Sequence, residues 1–364
     1  MKEKKWSLFL SLVPGVGAKT YSRLITALGS AKAVFEAPKR ALEAIPGIRP
    51  SVVEALSFRE ALLEKGEKVL QELREQKMGY ITLEEEEYPP SIKAIPYPPP
   101  VIYYKGNLSI LKKPCFTVVG TRRASPYGLD MAFNLSKGLA HAGLVIISGL
   151  ARGIDTAAHR GALSTGTTAA FLGSGLDILY PPENRRLAQS IVEKGGAILS
   201  PYPPKTPPER GHFPRRNLLM AALGIGVLVV EAGEKSGALM TAHYARNMGR
   251  EIFALPGPVG LSRTKGVHML IKEGAHLVED TQDILSVLNI NTKVKGKRAP
   301  ETPPMSEAEK RVWETLKEGA LPVEVIMERC HLTLQEAYSL LLQMELKGLI
   351  AKRGGNIFMR RALS

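Results

Sequence analysis

The chain has 364 residues, 44% of them hydrophobic and 23% charged, the balance of a soluble globular protein with room for roughly two or three domains. Its net charge of +14 points to an anionic partner: nucleic acid, phosphates or an acidic membrane surface. Two distant cysteines, Cys115 and Cys330, exclude a disulfide framework and a Cys/His metal cluster and fit a reducing cytoplasm.

The first residues, MKEKKWSLFLSLVPG, lack a small-residue cleavage site and run into a glycine turn, so no secretory signal is expected. The apolar run at 218–230 is too short for a bilayer, which takes about 20 residues, so no membrane insertion is expected. Residues 1–80 read as helical. Trp6, Leu8, Leu10 and Leu12 precede the turn Pro14-Gly15-Val16-Gly17, after which Tyr21, Leu24, Ile25 and Leu28 recur at helical spacing. Ile45-Pro46-Gly47-Ile48 repeats the turn and leads into Val52, Val53 and Leu56. The two copies resemble paired helix-hairpin-helix units, an all-α, SAM-like segment whose glycine turns let backbone N–H groups approach a phosphate without sequence readout. Arg49 stands where the second copy's second glycine belongs, and a turn used only for packing fits equally. From Glu84 to Pro100 the sequence EEEEYPPSIKAIPYPPP is too rich in proline for helix or central strand and reads as an extended connector.

Between 100 and 288, six short apolar runs lack polar alternation: 116–119, 144–147, 168–172, 197–199, 227–230 and 252–254. Strands buried on both faces look like this. Helical spacing between them, as in Met131, Leu135 and Leu139, predicts a Rossmann-like, doubly wound α/β core over 81–288. Residues 289–304, polar, basic and proline-tipped, read as a linker. Residues 305–364 form a separate unit. Ser306 and Glu309 suit a capping box. Val312 and Leu316, Val325 and Ile326, and Leu334 to Leu346 mark three helices, and Lys352-Arg353-Gly354-Gly355 turns a two-stranded wing. The pattern resembles a winged helix-turn-helix. Its expected DNA-reading helix, 333–346, has no Lys or Arg, which favours protein interaction or regulation over DNA contact.

The chemistry-bearing residues gather where the strands end: VVGTRRAS, IISGLARGID, FLGSGLDILYPPEN, HFPRRN, VVEAGEKSGAL and FALPGP. In an open parallel sheet these segments share the carboxyl edge. Backbone N–H groups, helix N-termini and arginines gathered there form a wall for phosphates. It is not a Walker loop, because Lys235 and Ser236 are out of frame. It is not a dinucleotide fingerprint, because Ile178 stands where the third glycine after Gly173 and Gly175 belongs. No HExxH run, serine elbow or close carboxylate pair is present, and neither a metal nor a cofactor is expected. His159 and His212 beside arginines read as hydrogen-bonding partners ahead of bases, and Glu231 as a loop acceptor ahead of a general base or ribose contact.

The expected contact set follows the strands. Gly120, Arg122 and Arg123 leave the first. Ser148, Gly149, Arg152 and Gly153 leave the second, with Asp155 capping the next helix. Gly173, Ser174 and Asn184 belong to the third loop. Phe213, Arg215, Arg216 and Asn217 set an aromatic ring beside two guanidiniums, where base stacking and phosphate contact are neighbours. Lys235, Ser236 and Gly237 open another helix, whose N-terminus favours an anion. One nucleotide does not need so many cations, whereas a strand of several phosphates does. Single-stranded DNA or RNA is the expected ligand.

GTRRASPYG, SGLARGIDTAAHRGAL, LGSGLDILYPPEN, FPRRN, VVEAGEKSGALMTAHYA and GREIFALPG together resemble the DNA-processing protein A family (DprA, also called Smf), in order and spacing over nearly all of 80–280. The resemblance implies a Rossmann core that binds single-stranded DNA, a homodimer through that core, and a mediator that protects incoming DNA and loads a RecA-type recombinase onto it in natural transformation. It carries the binding role to Arg122, Gly149, Arg152, Gly173, Ser174, Phe213, Arg215, Arg216, Asn217, Lys235, Ser236 and Gly237. Leu218 departs from the pattern where a further arginine is usual, as do the prolines of Tyr180-Pro181-Pro182-Glu183-Asn184 where many relatives carry a basic residue. Two rival readings are a nucleotide phosphoribohydrolase, whose P-G-G-x-G-T-x-x-E run is poorly matched at 231–237, and a transcriptional regulator acting through 305–361.

Overall fold

The computed structural model describes residues 2–290, 305–353 and 355–360. The chain divides into two compact units, Met1–Asn291 and Thr292–Ser364. Six helices open the first: α1 (Lys2–Ser11), α2 (Ala18–Leu28), α3 (Ala31–Glu36), α4 (Lys39–Glu43), α5 (Pro50–Ser57) and α6 (Arg59–Glu75). The expected glycine turns join α1 to α2 and α4 to α5. Gly15 and Gly47 sit there at φ of 80° and 76°, a conformation that a Cβ disfavours. Each turn also receives an arginine from the other copy: Arg23 donates to the Gly47 carbonyl at 2.8 Å and Arg49 to that of Gly15 at 3.4 Å. The arginine that replaces a glycine thus ties the two hairpins together.

The chain continues through β1 (Gly79–Thr82), α7 (Pro90–Lys93), β2 (Val101–Gly106), β3 (Cys115–Gly120), α8 (Pro126–His141), β4 (Val145–Ser148), α9 (Ile154–Thr165), β5 (Thr168–Phe171), α10 (Arg185–Glu193), β6 (Ala197–Ser200), α11 (His212–Leu223), β7 (Gly226–Val230), α12 (Gly237–Asn247), β8 (Glu251–Leu255), α13 (Ser262–Lys272), β9 (His276–Leu277) and α14 (Thr281–Val287). One nine-stranded sheet results, in the order β1-β2-β6-β5-β4-β3-β7-β8-β9. The strands from β6 to β9 run parallel, while β1 and β2 pair antiparallel at one edge. Successive side chains serve opposite faces. Phe116, Val118, Ile146 and Val230 pack with α8, α9 and α14, whereas Val119, Ile147, Phe171 and Val229 pack with α11, α12 and α13. Burial on both sides is why these strands read as unbroken apolar runs. The chain winds from β3 outward to β6, then returns to lay β7, β8 and β9 on the other side. The switch point of the sheet therefore lies between β3 and β7, where Gly120 pairs with Val230.

Three expectations change. The proline-rich connector contains one helical turn, α7, entered through Pro90, a position that proline tolerates because its missing N–H has no helical partner there. Strands β1 and β2, hidden beside that segment, extend the sheet, and the expected boundary at 80/81 falls inside β1. The helical segment is also continuous with the sheet: one apolar cluster runs from Leu8, Phe9 and Tyr21 through Leu73 to Tyr103, Leu172 and Ile198.

The second unit comprises α15 (Glu307–Thr315), β10 (Leu321–Pro322), α16 (Val323–Cys330), α17 (Leu334–Leu346), β11 (Ile350–Arg353) and β12 (Ile357–Arg360), with strand order β10-β12-β11. This is a winged helix around Val312, Ile326, Leu341, Met344 and Phe358. Capping boxes start α15 at Ser306 and α17 at Thr333. The short strand β10 was not expected. Residues 291–304 of the expected linker, Gly354 of the expected wing turn, and 361–364 lie outside the described residues.

Candidate nucleic-acid interface

Glu231 shapes the switch point. It leaves β7 at a φ of 49°, is 4% exposed, and accepts hydrogen bonds from the Ser125 amide at 2.8 Å and from the Ser125 hydroxyl. Arg263 Nε lies 3.4 Å from its Oε1. Its carboxylate therefore pins the end of β7 to the start of α8, the role of a loop acceptor.

Arg216 comes from the second turn of α11 and is 5% exposed. A Cβ on Gly149 would lie 1.0 Å from Arg216 Nη1, so the guanidinium lies directly against the bare backbone of the loop after β4. Asp155 Oδ2 lies 3.7 Å from that nitrogen and accepts from the Gly149 and Ala151 amides at 3.1 and 3.3 Å. Burial pushes the Asp155 carboxyl up from its ordinary value, opposed by the Arg216 charge. Burial pushes Arg216 down, opposed by Asp155 and reinforced by Arg122; starting from so high a value, guanidinium keeps its proton. Arg216 Nε has no protein partner among the described residues. Beneath the pair, His159 is fully buried and held at about 3, by burial first and the Arg216 charge second. Thr168 gives its hydroxyl proton to the Ile146 carbonyl, so the neutral imidazole donates to Thr168 Oγ1 through Nδ1, 2.7 Å away. His159 is a packed, uncharged strut.

Two adjoining cavities open at this edge. The first, about 380 Å³, lies at the switch point and is lined by Gly120, Arg122, Arg210, Phe213, Arg216, Asn217, Ser236, Gly237 and Met240, among others. The start of α12 faces it, with the Ser236 hydroxyl accepting from the Ala238 amide at 3.2 Å. The second, about 280 Å³, is lined by Arg122, Arg123, Gly149, Arg152, Gly173, Ser174, Tyr180, Phe213 and Arg216, among others. Phe213, Arg122 and Arg216 belong to both walls. The guanidinium carbons of Arg122 and Arg216 lie 5.4 and 6.0 Å from the Phe213 ring centroid, and Tyr180 adds a second ring 6.3 Å from it. A ring flanked by cations thus divides a furrow into two arginine-lined basins. Bases and phosphates are the chemistry that such a partition suits.

Five expected residues do not line these two cavities. Ser148 is buried and donates to the Val118 carbonyl at 2.7 Å. Asn184 is buried and donates to the carbonyls of Leu150 and Ala151 at 2.8 and 3.3 Å, bracing the loop after β4. The FPRRN run is helix rather than loop, and successive residues diverge by about 100°. Arg215 therefore turns toward Tyr88 and Tyr202, whose hydroxyls feel its charge, while Arg216 enters the furrow. Lys235 is exposed in the loop before α12. Gly153 borders a third depression with Arg122, Arg123 and Arg160. Within the furrow, the Ser174 hydroxyl is occupied by the Ile178 carbonyl at 2.6 Å. Arg152 pairs with Glu183 in the open, a contact weak enough to exchange for a phosphate. Sequence reading missed Arg210 and Tyr180 as lining residues. Arg210, three residues before Phe213, was visible as one more cation in that segment. Loop 256–258 stays outside both cavities.

A doubly wound sheet whose switch-point edge gathers guanidiniums, a helix N-terminus and an aromatic ring belongs to the class of Rossmann-type proteins that bind phosphate-bearing ligands outside the carboxyl ends of their strands. Residues 79–289 match the family model of DNA recombination-mediator protein A, and 296–356 match that of the DprA winged helix domain. The chain belongs to this DNA-processing family, DprA or Smf. Protein Smf of Escherichia coli strain K12 is 39% identical over 290 residues, 78% of each chain. The X-ray structure of DNA processing protein A from Streptococcus pneumoniae superposes with a TM-score of 0.67 at 34% identity, covering 79% of this chain and 98% of that one. The Helicobacter pylori protein, whose structure is described by its single-stranded DNA binding mode, superposes with a TM-score of 0.53 at 32% identity, covering 58% and 95%.

Proposed function

We propose that the chain is a non-catalytic, sequence-tolerant single-stranded DNA-binding protein of the cytoplasm that protects incoming DNA and loads a RecA-type recombinase onto it during natural transformation. The observation that carries this reading is the Phe213 ring with Arg122 and Arg216 between two arginine-lined cavities. A base stacked on such a ring contributes about 1–3 kcal/mol whatever its identity, because every base has a π-face. Cations on either side hold the phosphates. The contact set is Arg122, Arg123, Arg152, Phe213, Arg216 and Asn217, with the backbone at Gly149, Gly173, Ser236 and Gly237. Lys235 and Arg215 contribute charge near the furrow. The H. pylori relative's single-strand binding supports the ligand, and the family likeness supports the recombinase. Residues 289–304 act as the linker to the winged helix. Among the described residues the sheet ends at β9, where Leu277 is 48% exposed, and Met269 of the preceding helix α13 is 44% exposed. An edge that no described strand pairs, together with these exposed apolar side chains, supports a homodimer through the Rossmann core.

Fluorescence anisotropy with a labelled single strand and a duplex of equal length, repeated across salt, tests the ligand. Single strands are expected to bind at least about tenfold more tightly, with a salt slope of about 0.7 per phosphate contact. Equal affinity for both overturns the reading. Recombinase loading on strands coated with a single-strand-binding protein tests the second step: the chain should accelerate it, and an unchanged rate removes mediation while leaving DNA binding intact.

A further inference from the structure

We propose that α17 of the winged helix is a self-association surface, on which two copies of the chain pair through antiparallel α17 helices. The helix has two apolar faces. Ala337, Leu341 and Met344 are buried in the unit's own core. Leu334, Tyr338, Leu342 and Leu346 are exposed at 58%, 39%, 58% and 81%. At four-residue spacing these four form a stripe that drifts about 40° per step, and a folded domain gains nothing by leaving such a stripe in water.

Charge selects the occupant. α17 has no Lys or Arg, and residues 305–364 carry nine Lys and Arg against eight Glu, so nearly all of the chain's net positive charge lies outside this unit. The surface lacks the cations that duplex phosphates require, and a nearly neutral unit repels its own copy little. The polar residues on the stripe side include Gln335 and Glu345, both exposed. An antiparallel pair centred at the level of Leu340 sets Leu334 against Leu346 of the second copy and Tyr338 against its Leu342. The same register sets Gln335 against Glu345, an amide donor against a carboxylate, at both ends of the two-fold contact. A parallel pair would instead oppose Glu345 to itself. Opposed helix dipoles also favour the antiparallel arrangement. The 13-residue helix is about 20 Å long, so the contact is smaller than the roughly 800 Å² per partner of a standard interface, and association is weak and concentration-dependent.

The test uses the full chain in two variants with one added cysteine each, Tyr338→Cys and Leu342→Cys. The native Cys115 and Cys330 are buried, and the parent sets the background. On mild oxidation, an equimolar mixture is expected to form disulfide-linked dimers several-fold faster than either variant alone, because only a mixed pair brings the thiols opposite each other. Sedimentation supplies a second readout. Leu342→Glu with Leu346→Glu, both at exposed positions, should keep the parent's melting temperature and any dimer made through the Rossmann core but lose the concentration-dependent gain in mass beyond that dimer. A mixture no faster than the single variants, or a glutamate variant that sediments like the parent, overturns the proposal. So does a glutamate variant that loses duplex DNA binding with its mass behaviour unchanged, since the stripe would then be a nucleic-acid surface.

Discussion

Replacing Arg122 by alanine interrogates the furrow with little disturbance of the fold. The side chain is exposed, lines both cavities, and lies 5.4 Å from the Phe213 ring centroid. An exposed cation–π contact contributes about 0.5–1 kcal/mol, so the melting temperature should fall by only a few degrees. A hydrogen bond to a charged group is worth about 1.5–3 kcal/mol. At about 1.4 kcal/mol per decade, losing it weakens single-strand binding about ten- to hundredfold. Losing one phosphate contact also lowers the log–log salt slope by about 0.7. Arg215→Ala is the matched control. Arg215 adjoins Arg216 in sequence but turns toward Tyr88 and Tyr202, and its removal should alter affinity by no more than about twofold. Anisotropy titrations of a labelled oligothymidine from low to moderate salt measure both quantities. If folded Arg122→Ala keeps the parent's affinity and slope, or if Arg215→Ala is the more damaging change, the strand does not lie in this furrow.

The buried Arg216–Asp155 pair makes a stability prediction. Arg216→Met strands a carboxylate and should cost about 3–5 kcal/mol in denaturant unfolding, part of it recovered by adding Asp155→Asn; a stability equal to the parent's would contradict the pairing. Gly149→Ala places a methyl group on Arg216 Nη1 and should impair strand binding nearly as much as Arg216→Met, whereas at Gly237 a Cβ finds nothing closer than 3.8 Å and alanine should leave the fold unchanged. The two units should lose stability to acid in different windows. His159 is held at about 3 against an ordinary 6.5, so unfolded chains take up its proton first, and the first unit should weaken progressively as pH falls from about 6.5 toward 3; His159→Gln should flatten that slope. In the second unit, the Lys347 hydrogen bond holds Glu309 below its ordinary 4.5, a contribution present above that pH and lost as pH falls through the lower folded-state value. Glu309→Gln should lower the winged helix's melting temperature at neutral pH and make it less sensitive to acid; thermal melts followed by circular dichroism at stepped pH measure both units.

Six strands were legible because burial on both faces leaves an unbroken apolar signature, as at 227–230, and the carboxyl-edge loops because glycine, arginine and aromatic residues are concentrated where those strands stop. The same local signals passed over β1 and β2, whose edge position beside prolines breaks the pattern, and placed a boundary at residue 80 where packing from Leu8 to Ile198 is continuous. Within the site, composition marked Arg215 and Arg216 alike, and helical geometry separated them. Ser148 and Asn184 carried the right polar groups, but carbonyls of neighbouring strands and loops claimed their hydrogen bonds. Local sequence therefore determined the elements and the chemistry available at their ends. Which side chains meet a ligand depended on contacts between distant residues, Arg122 with Phe213, Gly149 with Arg216, Ser125 with Glu231, and spacing along one stretch of chain carries no record of a partner that far away.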